Sequence, residues 1–247
     1  MRFWGLTDLG CVRQQNEDAL HVEQLSRNAI LCVVCDGMGG AKSGNVASSL
    51  AKDTFVQEFK RLWKGRRKTT VEQLLFDSAN LANHMVYQQS KVSDEYSGMG
   101  TTLVAAVIRN KTVDIANVGD SRAYSIGKDG IRQLTVDHSV VQMMIQRGEL
   151  SVERAKHYPG KNYITRAIGT EESVVCDGFH LPVAKGECIL LCSDGLTNIV
   201  NDQEILFEVL HGGKLDTCCQ RLIDIARHRG APDNVTCALI EIGGERR

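Results

Sequence analysis

Short apolar runs separated by polar turns open the chain, and this pattern predicts strands. Three such runs lie at residues 3–9, 19–25 and 29–35. The third run is apolar at every position, which indicates a strand buried on both faces. It stops at Asp36, and Gly37, Gly39 and Gly40 follow within four residues. We expect the strand to bring Asp36 to the edge of the core, where the glycines let the backbone turn sharply.

The rest of the chain alternates between strand patterns and apolar residues at every third or fourth position, which predict amphipathic helices. Further strands are predicted at residues 100–108, 112–118, 122–127, 174–181, 188–193 and 235–242. Helices are predicted at residues 47–62, 71–89, 138–147, 151–156, 202–210 and 215–229. Because the strands come in runs and the helices in pairs, we predict the α+β class with largely antiparallel sheets, and not a doubly wound parallel sheet.

Composition and charge narrow the class of protein. The chain has 247 residues, 43% of them hydrophobic and 24% charged, which suffices for one substantial core, and we expect a single domain over residues 1–247. A formal net charge of −1 gives no basic field that would favour nucleic acid or an anionic membrane as a partner. The first residues lack a signal-peptide pattern, and no apolar run reaches about 18 residues, so we expect a cytoplasmic protein.

The nine cysteines are interpreted as reduced core residues, since disulfides are uncommon in the cytosol. Cys32 and Cys35 form a C-x-x-C pair, but residues three apart in a strand point to opposite faces. The two thiols therefore cannot share a tetrahedral metal, and we expect them in the core.

Acidic residues recur where apolar runs end. Asp194 and a glycine follow the run at 188–193, as Asp36 and a glycine follow the earlier one. One such segment is explained by an ordinary Asp-Gly turn. Its repetition, with Asp18 and Asp233 in similar settings, suggests a site for a hard cation.

Two further residues have alternative interpretations. Asp120 follows a strand and a glycine, and is either another acid of this group or a turn former tied to Arg122. Arg13 lies five residues before Asp18 and either forms a structural salt bridge or grips an oxyanion in its guanidinium fork.

Seven short motifs occur in order along almost the whole chain. They are R-x-x-x-E-D at 13–18, D-G-x-G-G at 36–40, M-G-T-T at 99–102, G-D-S-R at 119–122, D-H-S at 137–139, S-D-G at 193–195 and D-N-V-T at 233–236. Together they resemble the motifs of the metal-dependent PP2C-type (PPM) serine/threonine protein phosphatases, most closely those of the compact bacterial branch. The resemblance implies a four-layer α-β-β-α sandwich, in which helices flank two central sheets. It also implies a flap insert at about residues 137–169.

The resemblance further implies a centre of two Mn²⁺ or Mg²⁺ ions at one end of the sandwich. Asp36 would bridge the two ions, and the backbone carbonyl of Gly37 would bind one of them. Asp194 and Asp233 would bind the other. Such hard cations prefer carboxylate and carbonyl oxygen to thiolate or imidazole.

Other residues receive supporting roles from the same resemblance. Glu17 and Asp18 would hold metal-bound waters, and Arg13 would bind the substrate phosphate. Asp120 together with Asp194 would bind a third, weaker ion. The catalytic group would comprise Asp36, Asp194, Asp233 and Arg13.

The charge of the acids supports a metal centre independently. Two like charges 4 Å apart cost about 4 kcal/mol even at an effective dielectric constant of 20. Without cations, such a group would also repel a phosphate. Two ions about 3.5 to 4 Å apart can share a water, lower its pKa and direct it at phosphorus. We therefore expect direct hydrolysis by a metal-bridging water, without a phosphoenzyme, and no C-x₅-R loop of a cysteine phosphatase is present.

One position departs from the eukaryotic branch of the family. Met38 stands where that branch has a histidine proposed to protonate the leaving group, and methionine has no proton to give. His138 and His157 lie in candidate regions, although structural or surface roles fit unpaired histidines better.

These expectations define a function. The leading hypothesis is a protein phosphatase that hydrolyses phosphoserine and phosphothreonine in proteins and opposes a serine/threonine kinase of the same cell, as a monomer. A regulatory phosphatase specific for one small partner protein is a close alternative. A pseudophosphatase that only binds proteins is the alternative from another class, but such modules lose metal-binding acids that this chain retains.

Overall fold

A computed structural model describes residues 1–39, 43–65, 69–155, 158–160 and 162–243. The strands are β1 (Arg2–Asp8), β2 (Asp18–Ser26), β3 (Ala29–Met38), β4 (Gly100–Thr101), β5 (Leu103–Arg109), β6 (Thr112–Val118), β7 (Arg122–Gly127), β8 (Gly130–Gln133), β9 (Asp177–Pro182), β10 (Cys188–Cys192) and β11 (Val235–Glu241). The helices are α1 (Gly44–Gly65), α2 (Val71–Ser90), α3 (Val140–Gln146), α4 (Val152–Ala155), α5 (Asp194–Thr197), α6 (Asp202–His211) and α7 (Leu215–His228).

The strands form two sheets. One has the order β1-β11-β10-β7-β8, and the other has the order β2-β3-β5-β6-β9, with β4 paired to the end of β3. Each pair of neighbouring strands that the structure describes is antiparallel. The predicted α+β class with antiparallel sheets is therefore confirmed.

Alternating side chains of β3 divide the core into layers. Leu31, Val33 and Cys35 pack against α1 and α2, whereas Ile30 and Cys32 face the other sheet. On the far side, α5, α6 and α7 cover the sheet of β10 and β11. The result is the four-layer α-β-β-α sandwich expected from the sequence. Cys32 and Cys35 lie in different layers of the core, as the strand period predicts.

The end of β3 differs from the prediction that the strand stops at Asp36. Gly37 and Met38 continue the strand because they pair with Thr101 and Gly100 of β4. The sharp turn comes later, at Gly39, whose φ of +129° lies in the region that favours glycine. Gly40 lies outside the described residues. Asp36 is thus held inside a strand, and not at a turn.

Several other boundaries shift. Asp194 does not follow its strand as part of a turn but begins the short helix α5. The strand predicted from residue 174 begins only at Asp177. In the insert, the helix predicted at 138–147 is found as α3, and the one at 151–156 is found as α4, with Lys156 outside the described residues.

Among the described residues, no helix combines the length and the apolar character that crossing a membrane requires.

Candidate functional site

Loops and strand ends from both sheets meet around an open cleft of about 490 Å³. The cleft contains every site residue predicted from the sequence except Asp18, which is buried beside it. Its lining residues are Arg13, Glu17, Asp36, Gly37, Met38, Gly39, Thr102, Asp120, Asn162, Tyr163, Ile164, Asp194 and Asp233. Residues separated by more than 200 positions in the chain therefore converge here.

Gly37 is required by close packing. Its amide donates a hydrogen bond to the carbonyl of Glu17 at 3.1 Å. A Cβ at position 37 would collide with the backbone of Gly44, at the start of α1, and would lie 2.7 Å from the Glu17 carbonyl oxygen. Only glycine lets the three segments approach so closely. The Gly37 position is therefore held firmly next to Asp36.

Asp36 and Asp194 form the centre of the acid group, because both line the cleft and the charge of Asp194 acts on Asp36. Burial raises the pKa of Asp36 well above its ordinary value, and the charges of Asp18 and Asp194 raise it further. Burial likewise raises the pKa of Asp194, followed by repulsion from Asp233.

Asp120 belongs to the same electrostatic group. Burial raises its pKa to about 8, and the charges of Asp194 and Asp137 add to the rise. The guanidinium of Arg122 forks onto Asp137 with bonds of 2.6 and 3.0 Å, and its positive charge only partly offsets the rise in the pKa of Asp120.

Asp18 lies at the start of β2, directly opposite Asp36 in the ladder. Its Oδ2 accepts hydrogen bonds from Thr236 Oγ1 at 2.6 Å and from Ser193 Oγ at 2.8 Å. Its Oδ1 is buried and has no hydrogen-bond partner among the described groups. Burial raises the pKa of Asp18 to about 7, although the two hydroxyl donors lower it.

Arg13 forms the salt bridge that one of its two interpretations predicts. Its Nη2 lies 2.8 Å from Asp233 Oδ2, and its Nη1 lies 3.7 Å from Glu17 Oε2. The side chain is still 45% exposed and lines the cleft. Its guanidinium can therefore exchange these carboxylates for an incoming oxyanion.

Glu17 carries a second orphaned oxygen. The residue is buried, and its Oε1 has no hydrogen-bond partner among the described groups. Burial raises the pKa of Glu17, and the charge of Arg13 opposes the rise. A buried carboxylate oxygen without a donor is costly, so both Glu17 and Asp18 are suited to bind a donor or a cation.

Asn234, the second residue of the D-N-V-T motif, has a role that the motif alone does not predict. Its Oδ1 accepts from the amide of Glu17 at 2.8 Å, and its Nδ2 donates to the carbonyls of Leu9 and Gln15. The side chain thereby clamps the loop that carries Arg13. The neighbouring Asp in the motif was the only signal at this position.

Asn162, Tyr163 and Ile164, from the segment between α4 and β9, also line the cleft. Tyr163 is 69% exposed, unlike most large side chains of the fold. Together with Met38, these side chains are a part of the cleft lining that carries no charge.

His138 has a structural role. Its Nδ1 accepts the amide of Gly119 at 3.1 Å, and its Nε2 lies 3.1 Å from Asp177 Oδ2. Both ring nitrogens are therefore engaged, and the residue does not line the cleft. His157 lies outside the described residues.

The acids do not stand in a finished metal-ligand arrangement. Among the residues described, no group of three or more His, Cys, Asp or Glu side chains is arranged to hold an ion. The reason is visible at two of the acids: Asp233 is bonded to Arg13, and Asp194 Oδ2 accepts from Asn198 at 2.8 Å. The chemistry of the donor set nevertheless fits a hard cation, because the oxygens are carboxylates that repel one another and two are orphaned.

Comparison with known proteins identifies the family. The family model described as "Protein phosphatase 2C" matches residues 12–239. The chain belongs to the protein phosphatase 2C family. The match spans all seven motifs and every strand except β1 and the end of β11, so membership covers the cleft as well as the fold.

Relatives of the family with high coverage support this assignment. "Serine/threonine phosphatase stp" of Listeria monocytogenes is 38% identical over 236 residues, which cover 95% of this chain and 93% of the relative. The crystal structure of the serine/threonine phosphatase Stp1 from Staphylococcus aureus is similar with a TM-score of 0.89 and 37% identity, and the similarity covers 98% of this chain and 95% of that one.

A further protein phosphatase 2C structure bears on the metal. It is the catalytic domain of the serine threonine protein phosphatase PstP in complex with two manganese ions, at a TM-score of 0.84 and 29% identity, covering 97% of each chain. The family is metal-dependent, and the manganese in this neighbour supports Mn²⁺ as a ligand of the fold.

Proposed function

We infer that the protein is a metal-dependent protein phosphatase that hydrolyses phosphoserine and phosphothreonine in proteins. The observation that carries this proposal is the convergence of Asp36, Asp194 and Asp233 on one open cleft, where their charges repel one another. Mutually repelling acids in such a place are costly unless cations neutralise them. Family membership and the names of the relatives support the same activity.

The residues suited to hold two divalent ions are Asp36, the carbonyl of Gly37, Asp194 and Asp233. Each lines the cleft, and each supplies an oxygen of the kind that Mn²⁺ and Mg²⁺ prefer. A cation here competes with the Arg13 bond to Asp233. Asp233 would be free to act as a ligand once its bond to Arg13 is broken.

Three more acids would extend the centre. Glu17 and Asp18 each keep one buried carboxylate oxygen without a donor, which suits them to accept from a water of the hydrated ions. The charge of Asp120 raises the pKa of Asp36, and burial and the charge of Asp194 raise the pKa of Asp120. A third, weaker ion between Asp120 and Asp194 would offset this repulsion.

Divalent ions, when bound, supply an activated water for attack on phosphorus and offset the charge of the phosphate. The chain's own residues bind and orient the substrate. Arg13, released from Asp233, donates its fork to the phosphate oxygens. Met38 cannot protonate the departing hydroxyl, and His138 has both nitrogens engaged, so that proton comes from water in the open cleft. We propose direct hydrolysis without a phosphoenzyme.

The proposal is tested by hydrolysis of phosphoserine and phosphothreonine peptides with Mn²⁺ and with a chelator. We expect turnover with Mn²⁺ and none with the chelator, and recovery when Mn²⁺ is restored. A preparation that is folded and binds Mn²⁺ but hydrolyses neither peptide nor an aryl phosphate would instead support the pseudophosphatase alternative. A phosphate label retained on the denatured enzyme would contradict direct hydrolysis.

We propose further that residues 1–247 form one phosphatase domain, with residues 137–169 as its flap, since three residues of the insert line the cleft beside Arg13. Phosphorylated proteins are the substrates, and a serine/threonine kinase of the same cell supplies them. We propose a monomer in the cytoplasm, and the net charge of −1 gives no basic field that would favour nucleic-acid or membrane partners. Light scattering on the purified chain tests the monomer.

A further inference from the structure

A closed ring of hydrogen bonds begins and ends at Asp18. The amide of Asp18 donates to Asn16 Oδ1 at 3.1 Å, and Asn16 Nδ2 donates to Thr7 Oγ1 at 2.8 Å. Thr7 Oγ1 lies 2.7 Å from Thr236 Oγ1, which lies 2.6 Å from Asp18 Oδ2. The ring thus contains one amide side chain, two hydroxyls and both the backbone and the carboxyl of Asp18.

The direction of each bond in the ring is determined. Asn16 must use its Oδ1 as the acceptor of the Asp18 amide, which leaves its NH₂ group to donate to Thr7. Thr7 therefore turns its hydroxyl hydrogen to Thr236, and Thr236 turns its own to Asp18 Oδ2. A backbone amide at one end and an acceptor oxygen at the other fix the orientation of both hydroxyls.

A second short path ends on the same oxygen. The amide of Thr236 donates to Ser193 Oγ at 3.0 Å, so the Ser193 hydroxyl donates to Asp18 Oδ2 at 2.8 Å. Thr236 therefore determines both donors to Oδ2. Its own hydroxyl is one donor, and its amide orients the Ser193 hydroxyl, which is the other. Oδ1 receives no donor from the described residues.

The ring also links the two sheets. Thr7 on β1 is directly opposite Thr236 on β11 in one sheet, whereas Asp18 starts β2 of the other sheet. The bond from Thr236 to Asp18 crosses between them at the end where the cleft opens. Asp18 is consequently held against both the rotation of its carboxyl and the separation of the sheets.

We propose that Thr236 is a positioning residue for the metal centre. With Asn16, Thr7 and Ser193, it fixes the Asp18 carboxyl so that Oδ1 alone is left to accept from a hydrated divalent cation. This inference rests on the proposed function, in which Asp18 holds a water of the bound ions. Groups that orient metal-binding residues in this way typically change metal affinity by about 10–100-fold when they are removed.

The decisive experiment compares Thr236→Val with Thr236→Ser. Valine keeps the shape but removes the hydroxyl, whereas serine keeps the hydroxyl. Isothermal titration of the folded, metal-free protein with Mn²⁺ should show affinity lowered about tenfold by valine and largely restored by serine. Hydrolysis of a phosphoserine peptide at subsaturating and saturating Mn²⁺ should show the valine defect shrinking as Mn²⁺ rises.

A double-mutant cycle separates positioning from a general loss of stability. In an Asp18→Asn background, Thr236→Val should cost no further Mn²⁺ affinity, because the group that it acts through is already lost. Ser78→Ala is the matched control, since Ser78 is a fully buried hydroxyl bonded to Leu74 in α2, remote from the cleft. Its Mn²⁺ affinity should equal that of the unmodified protein.

Ser193→Ala removes the other donor to Oδ2 and replaces Thr236→Val in the cycle if the valine variant does not fold. Wild-type Mn²⁺ affinity in the folded Thr236 or Ser193 variant, or an equal loss with and without Asp18, would overturn the positioning role while leaving the proposed function intact. Absence of Mn²⁺ binding and of peptide hydrolysis in the unmodified protein would instead overturn the proposed function itself.

Discussion

The hydroxyls of Thr102 and Ser121 lie 2.7 Å apart and connect the two sheets at the site. Thr102 Oγ1 accepts the amide of Asp36 at 2.9 Å, and either of the two hydroxyls can donate to the other. Both hydroxyls are buried, and Ser121 directly follows Asp120 in the chain. This pair therefore sets the backbone of Asp36 relative to Asp120, as the ring at Asp18 does on the other side of the centre.

The first prediction concerns this pair. Thr102→Val removes the acceptor of a buried amide and should destabilise the protein by about 1–3 kcal/mol, because the Asp36 amide is left without a partner. Urea unfolding in the presence of a chelator measures the change. Thr102→Ser keeps the hydroxyl and should recover most of the loss. Equal stability of the valine variant and the unmodified protein would show that the Asp36 amide finds another acceptor.

The second prediction concerns Asp36. Asp36→Asn should abolish hydrolysis of a phosphoserine peptide at saturating Mn²⁺, because the residue suited to bridge the ions loses its charge. The metal-free variant should keep its fold and melt at the same temperature or a few degrees higher, since repulsion from Asp18 and Asp194 is relieved.

Asp53→Asn is a suitable control for this change. Asp53 is an exposed acid of α1 next to Lys52, and its loss should alter neither activity nor melting temperature measurably. Unmodified activity in Asp36→Asn would rule out the bridging role.

The third prediction concerns pH. The folded-state pKa of Asp18 is raised to about 7 and that of Asp120 to about 8, whereas unfolded aspartates titrate near 4. Between these values the folded state binds more protons than the unfolded state. The free energy of unfolding therefore falls as pH rises. We expect the metal-free protein to melt several degrees higher at pH 5.5 than at pH 8.5.

Other titrating groups set the pH range in which the acids of the cleft dominate the pH dependence of stability. Arg229 lowers the pKa of Glu204 to about 2, so this pair loses its contribution only below about pH 4.5. Burial lowers the pKa of His138, so this residue makes the free energy of unfolding rise with pH near pH 6.5. Its effect is smaller than that of the acids, because it is one group against several. Saturating Mn²⁺ or Asp120→Asn should flatten the slope. A metal-free protein that gains stability up to pH 8.5 would contradict the assignment of repelling acids.

Local sequence patterns identified the acids of the site but not the strand pairing and hydrogen bonds that position them. Asp36 and Asp194 stand out because each follows an apolar run, and a run of apolar residues is visible without the fold. The continuation of β3 through Met38 is not visible, since it depends on pairing with Gly100 and Thr101, more than 60 residues away.

The ring at Asp18 was beyond prediction for the same reason. Thr7 and Thr236 meet because β1 and β11 pair in one particular register, and a shift by one residue would place their hydroxyls on opposite faces of the sheet. The boundary at Asp194 was missed because a strand followed by one helical turn has the same local signal as a strand followed by an Asp-Gly turn.

The last prediction concerns Arg13. Arg13→Ala should raise KM for a phosphoserine peptide by about 10–100-fold with a smaller change in kcat, because a charge-assisted hydrogen bond to the phosphate contributes about 1.5–3 kcal/mol. Arg13→Lys keeps the charge but not the fork, and should give an intermediate KM. Arg61→Ala is the control, since Arg61 is a 69% exposed arginine paired to Glu58 on α1. An unchanged KM together with an altered Mn²⁺ affinity would contradict a role in substrate binding. It would show that Arg13 acts only through its salt bridge to Asp233, a residue suited to bind the metal.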